Sequence, residues 1–304
     1  MREVPAEMPR LSGFAPERLR EEILRRARNA PVPTHPEAIV ERALGYPFDP
    51  PADSYALVGG SDLRFCSVKP GKLAESTVVH RETEMSLEQA CGMLGVASAA
   101  LEAPRHLALA YGSNGSPRAL ARKFAGSPAD EVQLVLPVLR GRLAGFDITY
   151  SAHLSAYGSV PATLHPSPGV TSRAFLTLLT DDQLVRMAET EFRYTLRRLG
   201  GMTFDSEHLE CSECIVFVSR YGSFALDDAP VSLAAVEAAG RGDARVMSEP
   251  EALDSVRRSL GVDEELEQFI VNNVRDPDRT QRFIDVLEQR SIPFEYPAAA
   301  VLDH

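Results

Sequence analysis

Apolar positions recur at helical spacing in some stretches of the chain and alternate at strand spacing in others. Glu17 to Ala30 carries Leu19, Ile23 and Leu24 on one side behind Pro16, a residue suited to a first helical turn. Its arginines alternate with glutamates, as on a solvated face. Pro36 to Leu44 reads as a second, shorter helix, and the three prolines of Tyr46–Ser54 read as an extended linker. Short strands are expected near Tyr55–Val58, Leu63–Val68 and Ser76–His80, with Gly59-Gly60 and Pro70-Gly71 supplying the turns. Ser86 to about Ala100 reads as a helix opened by a Ser86/Gln89 capping box.

The middle of the chain changes character. Leu107 to Tyr111 is an apolar run that ends in a Gly-Ser-Asn-Gly turn. Ser116-Pro117 opens a helix that Gly126 closes. Val132–Leu139, Leu143–Tyr150 and Arg173–Leu179 are strand candidates, and Pro137 marks an edge or a bulge. Thr180 to Glu191 is a well-signalled helix: Thr180 and Gln183 form a capping box, and Asp181 and Asp182 suit the positive end of its dipole. Ile215–Ser219 is a further strand. After Pro230 the pattern reads as helical to the end, with a Ser248/Glu251 capping box and a last amphipathic stretch at Arg282–Gln289. Strands and helices do not alternate regularly, so the expected class is α+β, with a strand-rich centre able to close into a barrel.

Composition narrows the function. The 304 residues include 44% hydrophobic and 25% charged residues, enough to bury a sizeable core without staples. With Lys+Arg 32 against Asp+Glu 43, the net charge is −11. That balance argues against a dedicated nucleic-acid binder and against attraction to an anionic membrane. No apolar run is long enough to span a bilayer, and the start MREVPAEMPRLSG lacks the apolar region of a secretory signal. Four cysteines, Cys66, Cys91, Cys211 and Cys214, are too few for a disulfide framework, so a cytoplasmic, reducing setting is expected.

Two features carry candidate chemistry. The first is Tyr111-Gly112-Ser113-Asn114-Gly115 between a strand and a helix, where successive backbone N–H groups can cradle an anion or a polar ligand. It is neither a Walker A loop nor a dinucleotide fingerprint. The second is Glu191. Leu184, Met187, Ala188 and Glu191 follow i, i+3, i+4, i+7, which carries this carboxylate on the inward stripe of its helix, while Glu189 points off the stripe. A carboxylate held at an apolar face can accept and return a proton. The plain alternatives are a simple turn, and a helix that frays before Glu191 so that its side chain reaches water.

Both features coincide with a family resemblance. LALAYGSN (Leu107–Asn114) resembles the opening strand and loop of γ-glutamylcyclotransferase-like proteins. GSVPATLHPSPG (Gly158–Gly169) is similar to their Ala-Thr-containing strand and turn, and RAFLTLLTDDQLVRMAETE (Arg173–Glu191) to their strand and helix ending in Glu-x-Glu. The resemblance implies a small mixed β-barrel with flanking helices. It implies cyclisation of a γ-glutamyl amide or amine to 5-oxoproline with release of the amine, without metal or organic cofactor. It makes Glu191 the catalytic acid/base, and Tyr111, Gly112, Ser113 and Asn114 the substrate-binding loop. It covers roughly Arg105 to Tyr221, leaving an N-terminal extension (1–104), a core (105–222) and a mostly helical C-terminal region (223–304). Gly115 after the loop, Arg173 at the strand start and Phe192 after the glutamate depart from the family pattern.

Other chemistry is weaker in the sequence. Cys211-Ser212-Glu213-Cys214, with His208 upstream, has no second pair to complete a zinc site and no redox-motif context. His153 and His165 flank central strands and are candidates to reach a cavity; the plainer reading is a surface or hydrogen-bonded structural role. No G-x-S-x-G elbow supports a serine hydrolase. Tyr157, Tyr194 and Tyr221 are candidates to line a cavity. The rival class is a non-catalytic binding or assembly protein on the same fold; a third reading is an enzyme that uses the same carboxylate on a γ-glutamylated biosynthetic intermediate. The leaving amine and the oligomeric state are not legible.

Overall fold

The computed structural model describes residues 3–5, 8, 11, 15–125 and 134–302. The helix-closing Gly126 and the start of the Val132 strand lie outside the described residues.

Two helices open the chain, α1 (Pro16–Arg28) and α2 (Pro36–Leu44), each with a proline in its first turn. Strands β1 (Tyr55–Val58), β2 (Ser61–Ser67), β3 (Thr77–His80) and β4 (Thr83–Ser86) form an antiparallel ribbon. The helix expected from Ser86 splits into α3 (Leu87–Met93) and α4 (Ala99–Glu102); the Ser86/Gln89 capping box is present, and Gly95, with φ +74°, interrupts it.

Next come β5 (His106–Ala110), a 3-10 turn at Ser113–Gly115, and α5 (Pro117–Phe124). The side chain of Ser116 does not cap α5, contrary to expectation; the proline in the first turn marks the start instead. The two strands expected on either side of Gly141 are one bent strand, β6 (Val135–Tyr150). Pro137 sits where β6 has β1 alone beside it, because pairing with the following strand β7 (Ala162–Leu179) begins at Val138.

Helix α6 (Asp181–Thr190) carries the Thr180/Gln183 capping box. It leads into β8 (Tyr194–Asp205), an element the alternation did not announce, and then β9 (Glu210–Ser219). The segment after Pro230 is not helical at first. A hairpin of β10 (Ala225–Leu226) and β11 (Ala229–Leu233) spans Pro230, and β12 (Ala238–Ala239) and β13 (Arg245–Met247) follow. Helices begin only at α7 (Glu249–Ser259), followed by α8 (Leu266–Arg275), α9 (Pro277–Glu288) and the short β14 (Ala299–Val301). The helical reading of that stretch fails because its short apolar runs are satisfied by pairing with β6 and β7.

The fold is α+β. Strands β7, β5, β9, β8 and β6 pair in that order, and β6 pairs back to β7, which closes a barrel. The β5–β9 pair is parallel and the other four are antiparallel, so the barrel is mixed. β1, β11 and β14 extend the same sheet from the two flanking regions. Alternate residues of β5 feed two cores. Leu109 joins one, while Ala108 and Ala110 join the other, with Leu184, Met187 and Ala188 of α6. Burying Leu184 fully contributes about 1.5–3 kcal/mol to holding α6 on this face. Among the described residues, no helix is long and apolar enough to cross a membrane.

Two buried acids tie the C-terminal region to the barrel. Asp147 on β6 accepts Arg241 (Nε 2.9 Å, Nη2 2.8 Å), Ser232 Oγ (2.6 Å) and the Ile148 N–H (2.7 Å). Glu249, at the start of α7, accepts the Val160 N–H at 2.7 Å, and its Oε2 has no hydrogen-bond partner. Burial pushes the Glu249 carboxyl well above the usual range. A raised folded-state value stabilises the fold fully below the unfolded value of about 4.3, and that contribution is lost as pH rises through the folded one. Glu249→Gln, which carries no such charge, is therefore expected to gain on the wild type between pH 5 and pH 8. Its thermal midpoint should lie at least about 2 °C higher at pH 8. A difference that does not grow with pH rejects the neutral-acid account.

Candidate functional site

Chain lengths bring the two sequence features together. β7 runs antiparallel to β5, so the start of α6 lies beside His106. There, Asp181 Oδ1 meets His106 Nε2 at 2.7 Å. The helix then returns along the sheet. Ten helical residues rise roughly 15 Å, and the five residues of β5 span about 17 Å. Both therefore finish at one end of the barrel, with Glu191 beside the turn that follows Tyr111.

Helix α6 ends at Thr190, and Glu191 is its C-cap at φ −104° and ψ 32°. The alternative that its side chain reaches water does not hold, since Glu191 is 8% exposed. Glu189 is exposed, as its phase on the helix requires. Glu191 Oε1 accepts the Asn114 Nδ2–H at 3.0 Å and pairs with the Lys123 ammonium. Oε2 accepts nothing from the described residues.

Lys123 is the residue the sequence reading missed. It lies four positions after Ala119 and one before Phe124, both buried, so its helical phase alone marked it as facing inward. With this ammonium present, Glu191 is a paired carboxylate and not the bare desolvated one that the apolar stripe suggested.

The loop is shaped by close approach. A Cβ at Gly112 would lie 2.4 Å from Tyr46 Oη, and one at Gly115 would lie 2.7 Å from the Phe175 ring. Phe175 thus fills the space of the side chain absent at Gly115. The backbone N–H groups of Gly112, Ser113 and Asn114 open the 3-10 turn and are not engaged by another described residue. Asn114 Oδ1 is buried and has no partner. Residues with free donors and a free acceptor therefore line the same cavity as Glu191.

Glu191 and Tyr111 to Asn114 line one cavity of about 500 Å³. That size suits a small metabolite. Tyr157 and Tyr194 line it as expected; Tyr221 does not. Tyr46 Oη accepts the Ala162 N–H at 2.7 Å, while the Tyr194 hydroxyl donates to the Ala162 carbonyl at 2.9 Å. The Tyr111 hydroxyl donates to the Phe217 carbonyl, so this side chain braces the wall and leaves binding to the loop backbone. Burial, and then the Glu191 charge, push the Tyr111 phenol up, and burial pushes Tyr157 up to about 12. These phenols stay neutral near neutral pH.

The segment read as a linker is also part of the wall, through Tyr46 and Phe48. Nothing in its composition signalled this.

The remaining candidates lie elsewhere. His153 is buried between the rings of Tyr194 and Tyr221, with Nδ1 2.6 Å from Ser151 Oγ; burial and then Arg193 push its imidazole well down. His165 meets Ser223 at 3.1 Å. Cys211 and Cys214 lie along β9 as free thiols, and burial pushes both up, away from the thiolate that redox or metal chemistry requires. No group of histidine, cysteine and acidic side chains among the described residues is arranged to hold a metal ion.

Compared with known proteins, the chain matches no family model, no curated protein and no solved structure.

Proposed function

We propose that the chain is a γ-glutamylcyclotransferase-like enzyme, which cyclises a γ-glutamyl amide or amine to 5-oxoproline and releases the amine. The observation that carries this reading is the pair of unlike oxygens on Glu191. Oε1 is held by Asn114 and Lys123, while Oε2 is left for a ligand in the cavity that the three residues with unengaged backbone N–H groups also line. A fixed carboxylate with one available oxygen suits a proton shuttle. In the reaction, the substrate's α-amino nitrogen attacks its own γ-carbonyl carbon and passes a proton to Oε2. The bond from that carbon to the departing nitrogen breaks as the same proton is returned to it. The N–H groups of Gly112 and Ser113 hold the developing oxyanion or the α-carboxylate, and Asn114 Oδ1 accepts from the α-amino group. Attack is intramolecular, so holding the folded substrate supplies much of the rate. No metal or organic cofactor enters these steps. The four free thiols suit a reducing, cytoplasmic setting.

The ion pair with Lys123 favours a second reading, a binding protein on the same scaffold, because the ammonium already occupies one oxygen of the only carboxylate this reaction would use. Incubation with γ-glutamyl amino acids and γ-glutamyl amines separates the two: the enzyme releases 5-oxoproline and the binding protein releases none. In the enzyme, Lys123→Met is expected to lower kcat about tenfold to a hundredfold, by releasing Oε1 from its fixed position. Lys123→Arg is expected to recover most of that loss. Equal turnover by Lys123→Met and wild type contradicts the positioning role.

A further inference from the structure

The charge of the cavity runs against the charge of the protein. In a chain of net charge −11, the cavity is lined by seven arginine or lysine side chains and two glutamates, counted among the described residues. Most of these cations are already engaged. Arg25 and Arg26 bind Glu22, Arg186 binds Glu189, and Lys123 binds Glu191. Arg193 donates to Tyr221 and Gln281. Arg42 and Arg122 have no carboxylate partner among the described residues.

These two arginines form a unit. Arg42 on α2 lies over the Tyr157 ring, with Cζ 4.8 Å from its centroid, and Arg122 on α5 lies over Phe48 at 4.6 Å. The two rings are themselves 5.9 Å apart. Arg42 Nε is buried and donates to nothing. Burial, then the charges of Arg42 and Arg118, push the Arg122 guanidinium down, so the two cations feel each other. The loop that presents Tyr157 is packed hard: Gly158 has φ +92°, and a Cβ there would meet Ile270 and Val274 at 2.9 Å. Glu41, Asp49 and Asp62 line an adjoining pocket with the same two arginines, but none of them pairs with either. Two like charges held on an aromatic base, with no carboxylate paired to either among the described residues, are stabilised by an anion.

We infer that Arg42 and Arg122, seated on Tyr157 and Phe48, form an anion subsite of the cavity that takes a carboxylate or phosphate group carried by the ligand. Assigning that group to the amine-bearing half of the ligand rests on the proposed cyclisation; the subsite itself does not. Arg42 comes from the N-terminal extension, so this region sets which ligands are accepted.

The test uses inorganic phosphate and succinate as probes, titrated by calorimetry at low ionic strength against the full chain. Arg42→Gln and Arg122→Gln are each expected to weaken binding about tenfold or more. Arg118→Gln, which removes a neighbouring charge outside this cavity, is expected to change it less than about twofold. Tighter phosphate assigns a phosphoryl ligand, and tighter succinate a carboxylate. Arg122 is exposed, so its variant tests the subsite even if Arg42→Gln disturbs α2. Failure of the wild type to bind either probe, or an equal loss in Arg118→Gln, overturns the proposal. In turnover, γ-glutamyl compounds with an anionic leaving part are expected to exceed neutral ones about tenfold in kcat/KM, a preference lost in both arginine variants. Absence of turnover with intact probe binding rejects the cyclisation and leaves the subsite standing.

Discussion

Glu191→Gln is expected to reduce release of 5-oxoproline about a hundredfold to ten-thousandfold, with circular dichroism and the thermal midpoint close to wild type. The amide keeps the shape of the carboxylate and can still pair with Asn114 after a flip. It cannot take a proton from the attacking nitrogen. The expected loss is in kcat, because Tyr111 to Asn114 still shape the cavity. Lys123 then lies beside a neutral group, and as an ammonium left without its partner it tempers the structural gain from removing a buried charge. Full turnover in a pure Glu191→Gln sample removes the carboxylate from the mechanism.

Asp147→Ala carries the largest expected effect on stability. Asp147 is 4% exposed and accepts from Arg241, Ser232 and a backbone N–H. Arg241 in turn donates to the carbonyls of Val236 and Leu233. Its removal leaves a largely buried guanidinium unpaired, at a cost of about 3–5 kcal/mol. The urea midpoint should fall accordingly, with the slope little changed. Adding Arg241→Met should restore part of the loss, since the orphaned charge goes with it. A loss below about 1 kcal/mol shows that solvent replaces the pair, and that the C-terminal strands are held by apolar packing alone.

Local chemistry made parts of the site legible in advance. The Thr180/Gln183 capping box and the Leu184, Met187, Ala188 stripe placed Glu191 correctly, because caps and helical phase act within a few residues. The proline at 117 opened α5 for the same reason. β8 was missed because Arg197, Arg198, Gly200 and Gly201 interrupt its alternation; the strand is held by β9 on one flank and β14 on the other. The short strands after Pro230 likewise depend on partners far away in the chain.

By itself, then, the sequence determined the α+β class, the turn after Tyr111, and an inward carboxylate at the end of a capped helix. Only the tertiary structure decided that Lys123 pairs with that carboxylate, and that Arg42, Tyr46 and Phe48 from the first fifty residues complete the cavity. The reason is range. Backbone hydrogen bonds and side-chain phase are settled by near neighbours and leave a period in the sequence. A charge meeting its partner across the fold is settled by which surfaces the closed barrel brings face to face, and it leaves no period to read.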